Sequence, residues 1–284
     1  MAWSKSIVYW RDDEGNVNVS VPFTWMLPVA HKLCRWNRDA GLNVLAGGPA
    51  VDLMPHYLAD VADCGGQMWP LPLSRHNPDA TFTTRGCIRS CPFCAVPKIE
   101  GDLRELKDWI PAPVVCDNNL LAASKAHFDN VIDRLKVFKG VDFNQGLDVR
   151  LLNDHHIERL QELRLPILRF AWDNTSLESV VIGVIRRVLV AGFPKSRVRC
   201  YVMFGYDDTP ADALYRATTL KDMGIKPFLQ RYQPLDALKK NQYIASDWTA
   251  EEMSRFGRYW CRQNWLSKIP YPEFVNDRKL YQQK

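Results

Sequence analysis

The sequence lacks a long apolar run, and this absence argues against membrane association. A membrane-spanning helix needs about 20 consecutive apolar residues, whereas the most apolar stretch, residues 180–190, contains Arg186 and Arg187. Near the start of the chain, a short apolar segment runs at once into the charged residues 11–14, so the apolar core of a secretory signal is missing as well. We therefore expect a cytoplasmic protein that does not contact the membrane.

Cysteine is too sparse for a disulfide scaffold. The chain has 8 cysteines in 284 residues, well below the density of small disulfide-rich proteins, and cytosolic thiols are normally kept reduced. Three of them, Cys87, Cys91 and Cys94, fall within eight residues, whereas the other five are scattered. One tight cluster in a cytosolic chain indicates a metal site.

The charge balance is only mildly positive. The chain has 37 Lys and Arg residues against 32 Asp and Glu residues, a net charge of +5. Solvated faces with ion pairs explain the basic stretches most simply, and a nucleic-acid surface is the alternative. The stretches concerned are Arg186-Arg187, residues 195–199, and Arg255, Arg258 and Arg262.

Alternating strand and helix patterns predict an α/β fold. In the first 76 residues, strands at 17–21 and 42–46 alternate with helices at 28–40 and 54–63, which suits a small parallel sheet. The proline-rich residues 69–78 predict a linker. Further strands are predicted at 80–84, 113–116, 141–145, 167–172, 198–204 and 225–231, with helices at 124–138, 153–163, 177–191, 211–223 and 250–265.

Six strands joined by helices are too few for a closed eight-stranded barrel, so we expect an open or partial one. In such sheets, ligands bind at the carboxyl ends of the strands. The cysteine cluster follows the first of the six strands directly, which puts it at that end of the sheet.

The three clustered cysteines have the spacing C-x3-C-x2-C. Three thiolates can hold three corners of a cubane iron–sulfur cluster, and the next cysteine, Cys116, lies 22 residues further on. One iron would then keep an open position, as catalytic metal sites do. A structural zinc site is the alternative, but it needs further ligands, and His76 and His127 have no partner at ligand spacing.

With Phe93 before the last cysteine, this loop resembles the signature of the radical S-adenosylmethionine (radical SAM) superfamily. The flanking residues 84–87, 91–97 and 100–101 are similar to the core of methylthiotransferases and of radical enzymes with a cobalamin-type N-terminal domain. The resemblance covers roughly residues 17–234. It implies a partial (β/α)6 barrel with a [4Fe–4S] cluster on Cys87, Cys91 and Cys94, whose open iron chelates the amino and carboxylate groups of S-adenosylmethionine.

The same resemblance implies the reaction. A one-electron reductant such as flavodoxin or ferredoxin reduces the cluster, S-adenosylmethionine is cleaved, and a 5′-deoxyadenosyl radical abstracts hydrogen from the substrate. The protein then supplies positioning and excludes water, while the cofactors supply the chemistry.

Three segments follow from the resemblance. Residues 1–76 form a truncated cobalamin-binding-like αβ segment, residues 77–240 the radical SAM core, and residues 241–284 a C-terminal helical extension. Cobalamin-binding domains usually carry a D-x-H-x-x-G motif whose histidine ligates cobalt, and this motif is missing. We therefore expect no cobalamin bound through a protein histidine, and binding without such a ligand is an alternative that no motif in the sequence supports. A methylthiotransferase holds a second cluster on three N-terminal cysteines, but only Cys34 and Cys64 precede the motif here.

Polar residues after the second predicted strand are candidates for holding S-adenosylmethionine. Asp117, Asn118 and Asn119 stand where the family binds the amino group of this cofactor. An oxygen acceptor is the right partner for an ammonium group. The alternative is a turn or a helix cap, since Asp and Asn are favoured there too.

Gln145 and Arg150 follow the third strand, and Arg150 is suited to the cofactor's carboxylate. An ion pair of Arg150 with Asp148 or Asp117 is the alternative.

Two later strand ends complete the predicted cofactor contacts. Asp173 follows the fourth strand and would bind the ribose, or else cap the next helix. Phe204 ends the fifth strand, whose segment resembles the one beside the adenine in the family, where the contact is mostly through the backbone.

The sequence identifies neither the catalytic residue nor the substrate. Cys200, Tyr201, Tyr206 and Tyr232 are unranked candidates for a residue that serves the radical step. The basic stretches and the methylthiotransferase-like loop favour a nucleic acid or nucleoside substrate. A second hypothesis is a non-catalytic, zinc-binding nucleic-acid module. A third is an electron-transfer cluster protein, which would need four protein ligands.

Overall fold

Parallel strands dominate the fold, as expected for strands that helices connect. In a computed structural model, the described residues are 5–65, 71–261 and 269–275. They belong to two units, each described separately below. The first comprises Met1–Leu147, Asn153–Pro166 and Gln233–Gln242, and the second comprises Asp148–Leu152, Ile167–Tyr232 and Tyr243–Lys284.

The first unit contains two small parallel sheets and a two-stranded antiparallel ladder. Its described helices and strands are β1 (Val8–Arg11), β2 (Val17–Ser20), α1 (Leu27–Asp39), β3 (Val44–Gly47), α2 (Pro49–Leu53), β4 (Asp63–Cys64), α3 (Leu71–His76), β5 (Ala80–Thr81), β6 (Thr84–Arg85), α4 (Val96–Ile99), β7 (Arg104–Glu105), β8 (Val114–Val115), α5 (Lys125–Leu135), β9 (Asp142–Phe143) and α6 (Asp154–Gln161).

The N-terminal sheet has the strand order β1-β2-β3-β4. β2, β3 and β4 are parallel, as predicted, and β1 adds an antiparallel edge strand that the sequence analysis missed. Helix α1 carries Pro28 in its first turn, where a missing N–H costs nothing. It buries Leu27, Ala30 and Cys34 in the same core as Val17 and Val19 of β2.

The helix predicted at 54–63 is wrong. The helix there, α2, ends at Leu53 and is followed by a short 3-10 turn at Pro55–Tyr57. Pro55 lacks an N–H and disfavours the helical conformation of Met54, whose φ of −136° and ψ of 61° lie outside it. The linker predicted at 69–78 is also wrong for residues 71–76, which form α3, and its residues 69–70 lie outside the described part.

The second sheet of this unit has the order β5-β8-β9 and is entirely parallel. Helix α5 buries Phe128, Val131, Ile132 and Leu135 with no exposed surface. Asn153 caps α6 by accepting a hydrogen bond from the His156 amide. These three strands and two helices agree with the predicted positions to within three residues.

The second unit is a three-stranded parallel sheet with helices. Its described elements are β10 (Leu168–Ala171), α7 (Glu178–Val190), β11 (Val198–Phe204), α8 (Pro210–Asp222), β12 (Lys226–Arg231) and α9 (Ala250–Cys261). The strand order is β10-β11-β12. Residues 262–265 of the helix predicted at 250–265 lie outside the described part.

All six strands predicted for the α/β layer are present in the described chain. They form two three-stranded parallel sheets, β5-β8-β9 and β10-β11-β12, and hydrogen bonding among the described strands closes no barrel. The partial-barrel arrangement and the three segment boundaries stay predictions.

Within the described ranges, none of the helices combines the length and apolar character that crossing a bilayer demands.

Candidate functional site

The cysteine cluster lies in the loop between β6 and β7, which pair as an antiparallel ladder with Thr84 opposite Glu105. Cys87, Cys91 and Cys94 are all half-buried free thiols. The Cys87 amide donates a hydrogen bond to the Gly101 carbonyl at 3.1 Å, and the Cys94 amide donates to the Cys91 carbonyl at 3.0 Å. The ladder therefore closes a loop whose backbone is fixed at both ends.

Glu100 ties this loop together. One carboxylate oxygen lies 2.6 Å from an Arg85 guanidinium nitrogen, and the two side chains are only 10% and 8% exposed. The other accepts hydrogen bonds from the Gly86 amide and the Asn118 side-chain amide, both at 2.8 Å. Burial lowers the pKa of Arg85 to about 10, although the Glu100 charge acts in the opposite direction.

Sequence reasoning noted Glu100 only as a flank of the motif and missed this function. A carboxylate six residues after the last cysteine and an arginine two before the first were the available signal.

Gly86 has to be a glycine for two reasons. Its φ is +73°, a conformation that L side chains rarely adopt, and an added Cβ would overlap the Asp102 carbonyl oxygen. The chain entering the cysteine loop therefore passes very close to the chain leaving it.

Asp117 binds the protein backbone rather than facing open space. One carboxylate oxygen accepts hydrogen bonds from the Thr83 amide at 2.6 Å and the Thr84 amide at 2.9 Å, and the other accepts from the Thr83 hydroxyl. The residue is 4% exposed, and burial raises the pKa of its carboxyl. These partners differ from the cofactor ammonium group that we predicted, and they hold the start of β6 beside the end of β8.

The sulfur of Cys87 accepts hydrogen bonds from the Asn119 side chain and from the Arg89 backbone. The Asn119 side-chain amide lies 3.6 Å from Cys87 Sγ, and the Arg89 amide donates to the same sulfur at 3.4 Å. Hydrogen bonds of this kind stabilise a metal-bound thiolate and tune its electronics. Asn119 therefore contacts the cysteine loop, and its predicted contact with S-adenosylmethionine stays a prediction.

A cavity of about 340 Å³ lies beside this loop, within the first unit. Asn118 and Gln145, which follow β8 and β9, both line it, so two predicted cofactor-binding residues share one cavity. The loop after β3 forms another part of the wall through Gly47 and Gly48. The remaining lining residues are Pro49, Asp52, Gly65, Pro72, Phe82, Arg85, Val96, Ile99, Glu100, Arg104 and Cys116.

The other predicted residues lie elsewhere. Phe93 is half-buried in the cysteine loop and does not line the cavity. Arg150 belongs to the second unit, where its Nε lies 2.7 Å and a terminal nitrogen 3.0 Å from the carboxylate oxygens of Asp148. This is the ion pair that we named as the alternative to cofactor binding.

Asp173 and Phe204 also lie in the second unit. Asp173 accepts a hydrogen bond from the Met203 amide, and burial raises the pKa of its carboxyl. Asn174, and not Asp173, caps the following 3-10 turn, so the capping alternative is wrong. Phe204 is fully buried, with its ring 5.0 Å from that of Phe256 and 5.6 Å from that of Trp248.

A buried arginine organises these strand ends, and sequence reasoning missed it. Arg216 has no exposed surface and donates to the Trp172 carbonyl at 2.9 Å and the Met203 carbonyl at 3.0 Å. It also pairs with Asp208, which accepts from the Gly205 amide at 2.8 Å. An arginine in an otherwise ordinary helix pattern gives no sequence signal for this role.

The cysteine loop supplies three thiols, the donor set that a cubane iron–sulfur cluster needs. Among the described residues, no three His, Cys, Asp or Glu side chains converge closely enough to hold one metal ion. In a cubane, each cysteine binds a different iron, so the three thiols need not converge on one point. Three half-buried thiols with two donors on one sulfur match that requirement.

Comparison with known structures supports the predicted α/β fold. The sequence matches no known family model and no curated protein. Four solved chains match the structure. One is the radical S-adenosylmethionine methyltransferase TsrM from Kitasatospora setae with cobalamin and a [4Fe–4S] cluster bound. The TM-score is 0.55 at 10% identity, over 77% of this chain and 65% of that one.

At this identity the likeness shows the fold alone, an α/β fold shared with a radical SAM enzyme. The chain spans about 65% of the neighbour's length. The methylthiotransferase-like branch is not confirmed. Our expectation that cobalamin is absent gains no support, because this neighbour binds cobalamin, and we withdraw it.

Proposed function

We propose that this protein is a radical SAM enzyme that binds a [4Fe–4S] cluster through Cys87, Cys91 and Cys94. The observation that carries the proposal is the position of Glu100. Its carboxylate holds the entry to the C-x3-C-x2-C loop and also Asn118, which lines the adjoining cavity. The fold shared with a radical SAM methyltransferase supports the same function.

When bound and reduced, the cluster and S-adenosylmethionine would supply a 5′-deoxyadenosyl radical. The residues of the chain would bind and position the cluster and S-adenosylmethionine. Asn119 and the Arg89 amide donate to Cys87 Sγ and would stabilise its thiolate form. Asn118 and Gln145 line the cavity, where their side-chain oxygens would accept from the cofactor's amino group and the Gln145 NH2 would donate to its carboxylate, since the Asn118 NH2 already donates to Glu100. For Arg150, Asp173 and Phe204, the contacts with the cofactor stay predictions.

Asp117 is a positioning residue in this proposal. Its carboxylate already accepts three hydrogen bonds from Thr83 and Thr84, so it fixes the strand that leads into the cysteine loop. Substituting Asp117 should therefore lower cluster retention before it changes the affinity for S-adenosylmethionine.

The test uses the full chain, purified without oxygen and reconstituted with iron and sulfide. We expect about four irons per chain, an electron paramagnetic resonance signal after reduction that changes when S-adenosylmethionine is added, and 5′-deoxyadenosine by mass spectrometry. Cys91→Ala should lose the cluster. Cys34→Ala, at a buried cysteine outside the motif, is the matched control and should keep it.

Two results would overturn the proposal. One is uptake of a single zinc with no iron–sulfur absorbance, which supports the zinc-module alternative. The other is a loaded, reducible cluster whose spectrum is unchanged by S-adenosylmethionine, which supports electron transfer. A parallel sample with hydroxocobalamin tests a second cofactor by its absorbance after gel filtration.

The substrate proposed here is a nucleic acid or a nucleoside, and the reductant is a flavodoxin or a ferredoxin. The support for the substrate is the basic stretch at 195–199, which in the structure leads directly into β11. Incubation with RNA and with free nucleosides, followed by mass analysis of the digested products, tests it.

A further inference from the structure

The β10-β11-β12 sheet of the second unit buries one face and leaves the other partly open. Along β11, every second residue from Val198 to Phe204 is buried, and the residues between them are half-exposed. Strand β12 alternates between buried and exposed in the same way from Lys226 to Gln230. Because side chains of a strand alternate between its faces, the half-exposed residues share one open face.

Three cations stand in one row across this open face. Arg169 of β10 is in register with Arg199 of β11, and Arg199 is in register with Lys226 of β12. Neighbouring strands lie about 4.8 Å apart, so the three side chains start within about 10 Å of one another. Like charges on adjacent strands destabilise a sheet, so this row is an arrangement that a bound anion would relieve.

For two of these three cations, Arg199 and Lys226, the described part of the protein provides no anionic side chain as a partner. Among the described residues, the side chains of Arg199 and Lys226 have no hydrogen-bond or ion-pair partner. Partial burial and the charge of Arg199 both lower the pKa of Lys226, consistent with a cation that lacks a carboxylate neighbour.

The next row on the same face is aromatic. Two residues further along the strands, Ala171, Tyr201 and Phe228 are in register. The rings of Tyr201 and Phe228 are 5.0 Å apart and nearly perpendicular, and Phe228 is 47% exposed. The small Ala171 side chain leaves room beside Tyr201. The two rows are about 6.6 Å apart, a distance that the sugar between a phosphate and its base can bridge.

We propose that this open face binds a single-stranded nucleic acid, with phosphates on the row of Arg169, Arg199 and Lys226 and an unpaired base against Phe228 and Tyr201. Cations that follow the backbone and aromatic rings that stack bases are the two elements by which proteins hold single strands. The binding does not depend on the proposed cluster chemistry, since it needs neither reductant nor S-adenosylmethionine.

The test measures binding of a fluorescein-labelled 12-nucleotide single-stranded RNA to the full reconstituted chain by anisotropy, over a series of salt concentrations. The Arg199→Gln/Lys226→Gln double variant should bind at least tenfold more weakly. Its plot of log affinity against log salt should lose about 1.4 in slope, because each single-strand phosphate contact contributes about 0.7. Phe228→Leu should weaken binding about tenfold with the slope unchanged.

Lys107→Gln/Lys139→Gln is the matched control, because it removes the same two charges from exposed positions outside both the row and the basic stretch at 195–199. Relief of like-charge repulsion should leave the Arg199→Gln/Lys226→Gln chain at least as stable as wild type by thermal melting.

Three outcomes overturn the proposal: no RNA binding by the wild-type chain, equal losses of slope in the two double variants, or competition by AMP as strong per phosphate as by the oligonucleotide. The last would assign the face to a free nucleotide. Loss of S-adenosylmethionine cleavage with RNA binding intact would instead count against the proposed function alone.

Discussion

Replacing Glu100 by glutamine should both destabilise the first unit and weaken its hold on a cluster. The glutamine carbonyl can still accept from some of the three donors that Glu100 satisfies, but its NH2 group must face another of them. The charge of Arg85, whose side chain is 8% exposed, then loses the carboxylate that lies 2.6 Å from it. Removing one member of a buried ion pair typically costs about 3–5 kcal/mol.

We expect a cost near the lower end of that range, about 3 kcal/mol, because Asp117 and Asp52 also lie close enough to stabilise the Arg85 charge. At an ordinary urea dependence for a domain of this size, this loss moves the unfolding midpoint down by about 1 M urea. If the two units unfold separately, only the transition of the first unit should shift.

The assay is urea unfolding of the cluster-free chain, followed by circular dichroism, with Glu162→Gln as a matched control. Glu162 also pairs with an arginine, but it is 37% exposed, and exposed pairs contribute at most about 1 kcal/mol. Arg85→Met/Glu100→Met removes both charges and should be less destabilised than Glu100→Gln. Equal midpoints for Glu100→Gln and Glu162→Gln would refute the reasoning, because the pair would then behave as if exposed to solvent.

Three further predictions concern the same unit. Gly86→Ala should abolish cluster retention, measured as iron per chain, whereas Gly101→Ala should keep it, because both have a positive φ but only the first Cβ would collide with backbone. Asn119→Ala removes a hydrogen bond to Cys87 Sγ and should lower the cluster's reduction potential in a redox titration, an effect that an unchanged potential would exclude.

The hydrogen bond from Lys125 is the main reason that the pKa of Asp129 falls from 3.8 to about 2, so its ionised form adds stability above pH 4 that is lost as the pH falls towards 2. Asp129→Asn should flatten thermal stability between pH 4 and 2, and an unchanged slope there would count against this interaction.

Strand and helix positions were predictable because their signals are local. Residues 198–204 form a short, mostly apolar run of strand length, and Asn153 stands directly before its helix, so both elements were found where expected. The helix predicted at 54–63 does not form because Pro55 lacks an N–H and disfavours the helical conformation of Met54. Edge strand β1 was missed because its pairing with β2 is not visible in its own residues.

The site was less predictable because its contacts join residues far apart in the chain. The cysteine spacing showed which residues share a loop, but nothing local shows that Glu100 reaches Arg85, Gly86 and Asn118 at once. The row of Arg169, Arg199 and Lys226 depends on strand register in the same way. A one-residue slip in either ladder would turn one of these side chains to the opposite face.

The hydrogen-bond partners of the polar residues near the cavity of the first unit determine which of their atoms remain available to a cofactor. The buried carboxylates of Glu100 and Asp117 take their hydrogen bonds from the chain itself, and so fix the cysteine loop and the strand before it. Asn118 and Gln145 line the cavity together with the charged residues Asp52, Arg85, Glu100 and Arg104, and the Asn118 amide also donates to Glu100. An amide carries both a donor and an acceptor without a net charge, so one residue type can meet both the ammonium and the carboxylate of an amino acid. With amides and charges of both signs in its wall, the cavity would accept a zwitterionic group without burying an unpaired charge.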